Sequence, residues 1–183
     1  MQTSNQLPIG VFDSGVGGLT VVKEILGNLP NEKIIYFGDT ARVPYGNKSP
    51  ETIIRYSKQI ANFLVSQKVK AIVIACNTAS ALALDAVSES VDVPVIGVVR
   101  PGTEAAIKAT TNLRIGVIGT EGTVKSGIYD RYIQEKKPDA VVFDKACPLF
   151  VNLVEEGMID DPVTVIMIHR YLDELIKSVI SIR

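Results

Sequence analysis

The sequence predicts an α/β protein with parallel sheets flanked by helices. Two observations support this fold class. Short β-branched runs alternate along the chain with longer segments of helical period, and glycine-rich polar segments directly follow the strand candidates, as loops do in open parallel sheets. The chain has 183 residues, of which 46% are hydrophobic and 21% charged. This composition is typical of globular proteins, and the length allows one domain or two small ones.

The first half of the chain contains four strand candidates and three helix candidates. The last strand is predicted because Val93-Pro94-Val95-Ile96 is apolar and Gly97 closes it. A first domain, residues 1–98, should therefore end there. The strands are expected at 9–12, 33–37, 70–75 and 93–98, and the helices at 19–26, 51–66 and 79–87.

The alternation then restarts and predicts a second α/β domain, residues 99–183. Its last helix is supported by six apolar residues at helical spacing: Val165, Ile168, Leu172, Leu175, Ile176 and Val179. The expected helices are 102–109, 123–135 and, after the segment 149–156, 162–180; the expected strands are 114–118 and 140–143. No long linker separates the halves, so we expect the two units to face a shared cleft.

Charge and composition exclude several classes of function. Nineteen Lys and Arg against twenty Asp and Glu give a net charge of -1, which argues against nucleic acid as a partner. No apolar run approaches the ~18 residues of a membrane span, and the first residues lack the pattern of a signal peptide. We therefore expect a cytoplasmic protein without a membrane partner. One histidine and two distant cysteines predict no metal site.

A glycine-rich loop follows the first strand candidate. Gly15, Gly17 and Gly18 allow backbone N–H groups to converge at a helix N-terminus, where an anion is favoured. The spacing matches neither the dinucleotide nor the triphosphate motif, so a small carboxylate fits better. The alternative is that these glycines only serve a tight turn.

Three side chains near the strand ends could carry chemistry. Cys76 ends an apolar strand before a helix whose N-terminus should lower the thiol pKa, which makes it a candidate nucleophile or base; the alternative is an inert buried thiol. Asp13 could orient an ammonium group or move a proton, or could be a turn carboxylate. Tyr45 could donate its hydroxyl to a ligand, or could be a partly buried ring covering its loop.

The second half offers fewer candidates. Cys147 lies beside Pro148 and an apolar segment, which favours a packing role. Glu155 could be an acid or base facing inward, or part of a charged helix end. His169 lies in the last amphipathic helix and is most simply a solvated residue.

Together these loops resemble the glutamate racemase family, whose cofactor-independent members make D-glutamate for bacterial peptidoglycan. The resemblance runs along nearly the whole chain, and five ordered blocks are far more specific than any one of them. The blocks are IGVFDSGVGGLTV at 9–21, GDTARVPYG at 38–46, ACNTA at 75–79, GVIGTEGT at 116–123, and ACPLFV at 146–151 with LVEEG at 153–157.

The resemblance implies two cysteines that flank the substrate Cα, each acting as base in one direction and acid in the other. Cys76 would be one of them, with Asp13 and Glu155 as auxiliary catalytic groups. Glutamate would be the substrate, with no cofactor, and a homodimer is one possible assembly. The implied substrate-binding residues are Asp13, Ser14, Pro44, Tyr45, Gly46, Asn77, Thr78, and Thr120 or Thr123.

The sequence departs from the family pattern at its end. The second family cysteine belongs to a Gly-Cys-Thr-His motif that does not occur before Arg183. We therefore expect a C-terminally truncated member in which the second unit and the closing part of the first are incomplete, and two-base activity is impaired. Two alternatives are a glutamate-binding or interaction protein that has lost catalysis, and a hydrolase or transferase using Cys76 as nucleophile, which would need a histidine base nearby.

Overall fold

The computed structural model describes residues 6–180. The chain divides into two compact units, the first ending at Val98 and the second starting at Val99. Each unit contains parallel strands and helices, which confirms the predicted α/β class.

The first unit has a four-stranded sheet in the order β2-β1-β3-β4, with all neighbouring strands parallel. Because the strands are parallel, their carboxyl ends lie along one edge, and the loops that follow them meet there. The elements are β1 (Ile9–Asp13), α1 (Leu19–Asn28), β2 (Ile34–Gly38), α2 (Pro50–Ser66), β3 (Ala71–Ile74), α3 (Asn77–Ser88) and β4 (Val95–Gly97).

Helix α2 contributes much of the core of the first unit. It begins at Pro50, after the Ser49 side chain accepts the Thr52 N–H, and this cap fixes its entry from the preceding loop. Its apolar face packs against β1 and α3. The fully buried side chains of this core include Phe12, Ile53, Ile60, Leu64, Ile72, Ile74 and Val87.

The second unit is built on two parallel strands, β5 and β6. Its core contains Ile115, Val117, Ile133 and Ala140. The elements are α4 (Val99–Ala109), β5 (Arg114–Gly119), α5 (Glu121–Lys125), α6 (Ile128–Lys136), β6 (Val141–Ala146), α7 (Leu149–Glu155) and α8 (Pro162–Ile180).

Helix α8 is held on this pair of strands at its C-terminal end. The Arg114 guanidinium donates to the carbonyl oxygens of Ser178 and Val179 and lies over the Phe143 ring. Cationic donors suit this position because the last carbonyls of a helix have no partners within the helix.

One predicted helix is wrong. Residues 123–135 form two helices, α5 and α6, because Gly127 between them takes the left-handed backbone conformation with φ of 62°. Strand β6 also continues to Ala146, past the predicted end at residue 143. Within residues 6–180, no helix has the length and apolar character needed to cross a bilayer.

Candidate functional site

The carboxyl edge of the first sheet gathers several of the predicted site residues. Asp13 ends β1, Asp39 follows β2, and Cys76 lies two residues beyond the end of β3. The edge is tied together through the backbone, since the Asp39 N–H donates to the Asp13 carbonyl oxygen at 3.0 Å. The Cys76 sulfur also lies 3.6 Å from the hydroxyl of Ser14, in the loop after β1.

The carboxylate of Asp13 folds back onto its own loop. Its Oδ2 accepts the N–H of Gly18 at 2.9 Å and that of Gly15 at 3.3 Å. Gly18 is the N-cap residue of α1, so Asp13 supplies the negative charge that this helix terminus favours. Two amides that we expected to face an external anion are therefore occupied by a side chain of the same loop.

Strand β2 supports the glycine-rich loop from the side. The Tyr36 hydroxyl donates to the Gly15 carbonyl oxygen at 2.9 Å. A Cβ on Gly38 would lie 2.4 Å from that same oxygen, so only glycine allows the loop to approach so closely. Burial, followed by the charges of Asp13 and Cys76, raises the pKa of Tyr36 to about 12, so its hydroxyl remains a donor at neutral pH.

Cys76 is the N-cap residue of α3 and is 5% exposed. Its sulfur accepts the Ala79 N–H at 3.4 Å. Burial and then the nearby Asp13 charge raise the thiol pKa, and the hydrogen bonds with Ala79 and Ser14 only partly oppose them. The predicted lowering of this pKa is wrong, because loss of hydration outweighs the helix N-terminus. Cys76 is therefore a neutral thiol at pH 7.

The loop after β2 also differs from expectation. Tyr45 is 2% exposed, and its hydroxyl donates to the carboxylate of Asp39. Burial and this hydrogen bond raise the Tyr45 pKa well above its ordinary value. The single phenolic proton thus goes to Asp39, so a role of the Tyr45 hydroxyl as donor to a ligand stays a prediction. Pro44, which follows a cis peptide bond, and Gly46 flank Tyr45 and are partly buried.

Sequence reasoning missed Asp39 and its partner Arg42. The available signal was the position of Asp39 directly after a strand, which matches the position of functional side chains after the neighbouring strands.

The remaining predicted residues of the first unit lie at the start of α3. Asn77 is the first residue of this helix and is exposed, whereas Thr78 is buried. Both directly follow Cys76, so the fold places them at the same sheet edge as the thiol.

In the second unit, Thr120 and Thr123 form a pair after β5. Thr120 is the N-cap residue of α5 and accepts the Thr123 N–H at 3.3 Å, with the two hydroxyl oxygens 3.1 Å apart. Glu155 is exposed at the last position of α7. The structure thus places these three residues in the second unit and the others in the first.

Cys147 is buried, as its predicted packing role requires, and is 2% exposed. Its thiol lies 3.7 Å from the Lys145 carbonyl oxygen, and burial raises its pKa. His169 is exposed, with Nδ1 3.2 Å from Asp173. Among residues 6–180, no group of three or more His, Cys, Asp or Glu is arranged to hold a metal ion.

Comparison with known proteins agrees with this architecture. The family model described as Asp/Glu/Hydantoin racemase matches residues 9–173. A glutamate racemase of Persephonella marina is 58% identical over 172 residues, covering 94% of this chain and 66% of the relative.

Solved structures give the same result. A glutamate racemase structure from Bacillus anthracis superposes with a TM-score of 0.89 at 43% identity, covering 93% of this chain and 64% of that one. One from Francisella tularensis, solved in complex with D-glutamate, has a TM-score of 0.87 at 46% identity, covering 94% and 64%.

The fold and the site define an α/β protein with a buried thiol at the carboxyl edge of a parallel sheet. The family match extends over most of its length. The chain belongs to the Asp/Glu/Hydantoin racemase family, and it spans just under two thirds of the length of the glutamate racemases it matches.

Proposed function

We propose that the protein is a glutamate racemase, an isomerase that interconverts L- and D-glutamate, and that Cys76 is one of its acid–base groups. The observation that carries the proposal is the buried Cys76 thiol, 3.6 Å from Ser14 and within the field of Asp13. The relatives support the choice of substrate, since three proteins 55% to 58% identical to this chain are named glutamate racemase.

Inversion at Cα needs one proton to leave one face and another to arrive at the opposite face. One thiol reaches only one face, so a second acid–base group is required. The raised pKa of Cys76 keeps its proton in place at neutral pH, which suits the acid role. In the base role, a substrate ammonium group bound near Asp13 would offset the carboxylate charge and make the thiolate easier to form.

Substrate binding is proposed for the residues that follow the strands. In the first unit these are Asp13, Ser14, Pro44, Tyr45, Gly46, Asn77 and Thr78. In the second unit Thr120 or Thr123 would contribute, with Glu155 as an auxiliary catalytic group. This assignment requires the two units to share one cleft. Tyr45 would contribute through its backbone, because its hydroxyl is bonded to Asp39.

The proposed cellular role is the supply of D-glutamate for peptidoglycan, by a cytoplasmic enzyme that needs no cofactor. A homodimer remains a separate hypothesis, which sedimentation equilibrium of the purified protein tests directly.

A chimera tests the activity. Residues 1–183 are joined to the C-terminal third of the Persephonella marina relative, and the conversion of L-glutamate is followed by circular dichroism. We expect the chimera to racemise glutamate. The 183-residue polypeptide alone should be slower by about 10²–10⁴-fold, the typical contribution of one general acid or base.

Two cysteine variants of the chimera provide matched controls. Cys76→Ala should abolish racemisation, whereas Cys147→Ala should retain it within a few-fold, because Cys147 packs against its own unit. Racemisation that survives Cys76→Ala would contradict the proposed role of this thiol. Full activity in the 183-residue polypeptide would contradict the need for a second group outside it.

A further inference from the structure

The carboxylate of Asp39 joins both ends of the loop that follows β2. Asp39 is 4% exposed. Its Oδ2 accepts the Tyr45 hydroxyl proton, and its two oxygens lie 2.9 Å and 2.8 Å from Nε of Arg42. Its own N–H donates to Asp13 at the end of β1. One side chain therefore closes the loop from residue 39 to residue 45, while its backbone is tied to the neighbouring strand.

Arg42 attaches this loop to helix α2. Its Nη1 donates to the side-chain oxygen of Gln59 at 2.9 Å, and its guanidinium lies 4.2 Å from the ring centroid of Tyr56. The Tyr56 ring also packs against Tyr45, with centroids 5.9 Å apart. The loop is thus fixed on the helix by a hydrogen bond, a cation–π contact and a ring contact.

These contacts determine what the segment after Asp39 can offer a ligand. A phenol has one proton to donate, and the proton of Tyr45 goes to Asp39. A buried carboxylate is tolerated only when it is paired and hydrogen-bonded, and here Arg42 and Tyr45 meet that requirement. Loss of the carboxylate charge would release Arg42 from its ion pair and weaken the attachment of the loop.

We propose that Asp39 is a positioning residue, which together with Arg42 holds the segment Pro44-Tyr45-Gly46 in the conformation that binds the substrate. The identity of that substrate as glutamate rests on the proposed function. The positioning itself does not, because its contacts lie wholly within the first unit.

The first test uses the 183-residue chain without ligand. Asp39→Asn preserves the shape of the side chain and removes its charge, and Asp85→Asn makes the same change at an exposed position of α3. Hydrogen exchange of the Arg42 and Lys48 amides, which donate within this loop, should accelerate about tenfold in Asp39→Asn. It should stay unchanged in Asp85→Asn. Arg42→Gln should also accelerate it, which provides a second variant if Asp39→Asn does not fold.

A spectroscopic signature separates positioning from a general loss of stability. With ¹³C-labelled tyrosine, the Cζ resonance that disappears in Tyr45→Phe reports the hydrogen bond of the Tyr45 hydroxyl. In Asp39→Asn at pH 7 this resonance should shift while those of Tyr129 and Tyr132 in the second unit stay in place, because the charged acceptor of the Tyr45 hydroxyl is lost. A general loss of structure would instead move the tyrosine resonances together.

The second test is calorimetric titration with L-glutamate. Asp39→Asn should weaken binding about tenfold, and Tyr45→Phe should weaken it less than threefold because the pair of Asp39 with Arg42 survives. A larger loss in Tyr45→Phe than in Asp39→Asn would overturn the proposal and restore the Tyr45 hydroxyl as a ligand donor. Unchanged loop exchange in Asp39→Asn, or faster exchange throughout the unit, would also overturn it.

The two proposals fail separately. If the chimera does not racemise glutamate, the proposed function fails, and the exchange and tyrosine measurements, which need no substrate, still decide the role of Asp39.

Discussion

At the scale of single residues, Cys76 shows that burial can affect the pKa of a thiol more strongly than a helix N-terminus does. The sulfur caps α3 and accepts the Ala79 N–H, an arrangement that favours the thiolate. It is also almost fully removed from water and lies near the Asp13 charge, and both effects favour the thiol. The pKa is therefore raised, because removal of the sulfur from water outweighs the helix N-terminus.

The first prediction concerns the two neighbours of this thiol. Asp13→Asn should lower the Cys76 pKa, because it removes a negative charge while the amide oxygen can still accept the loop N–H groups. Ser14→Ala should raise the pKa, because it removes a hydrogen bond that favours the thiolate. The measurement is the pH dependence of Cys76 alkylation by iodoacetamide, followed by mass spectrometry.

Glu89→Gln, at the C-terminal end of α3, is the control for a change in net charge and should leave the alkylation profile in place. The prediction fails if the alkylation profiles of Asp13→Asn and Ser14→Ala move in the same direction. Disorder of the loop, and not local electrostatics, would then control the reactivity of the Cys76 thiol.

At the scale of elements, Ser57 is a weak point inside α2. This side chain is fully buried, and its hydroxyl is the one buried side-chain polar atom without a hydrogen-bond partner among the residues that the structure describes. An unpaired buried hydroxyl costs about 1–3 kcal/mol, and alanine is also the better helix former. Ser57→Ala should therefore stabilise the protein by about 1 kcal/mol.

Urea unfolding measures this gain. Ser88→Ala in α3 is the matched control: its hydroxyl is exposed and bonded to the Leu84 carbonyl oxygen, so the expected change is below ~0.5 kcal/mol. Destabilisation by Ser57→Ala would show that the hydroxyl has a partner in solution.

The order of strands and helices could be predicted from the sequence, because apolar period and strand-to-helix alternation are local signals. Helix α8 illustrates this: its apolar spacing gave the observed bounds, Pro162–Ile180. The break at Gly127 could not be predicted in the same way, because apolar residues continue on both sides of it. Ser126, the C-cap of α5, and Gly127 with its positive φ separate the two helices.

For the site, too, one part could be predicted from the sequence and another part could not. Cys76, Asp13 and Ser14 could be placed together from the sequence, because parallel strands bring their carboxyl ends to one edge. The partners of these side chains could not be placed. That Asp13 accepts its own loop amides, and that Tyr45 donates to Asp39, depends on loop conformations that no apolar period encodes.

At the scale of the whole molecule, several groups keep their protons more tightly in the folded state. The pKa values of Tyr36, Tyr45, Tyr129, Cys76 and Cys147 are all raised, chiefly by burial. In the unfolded chain these groups lose their protons nearer their ordinary pKa values, 9.0 for cysteine and 10.0 for tyrosine. The unfolded state then binds fewer protons than the folded state, so stability falls as pH rises.

We therefore predict that the urea midpoint is constant from about pH 7 to about pH 8 and decreases from about pH 9 upward. Tyr36→Phe should make the decrease shallower, because it removes one of the contributing groups. Urea titrations at closely spaced pH values between 7 and 10.5 provide the measurement. A midpoint that rises over this range would contradict the burial of these groups.

The close approach of Gly38 to the Gly15 carbonyl also limits the substitutions that natural or laboratory evolution can accept at position 38. Any side chain at position 38 begins with a Cβ, and that atom would lie 2.4 Å from a backbone oxygen of the glycine-rich loop. No second substitution on a flexible side chain can relieve such an overlap, since the obstacle is main chain. A variant that loses this glycine must therefore change the conformation of the loop that contains Ser14 and follows Asp13. Position 38 thus constrains the carboxyl edge of the sheet, where Cys76 lies, although Gly38 has no side chain to take part in its chemistry.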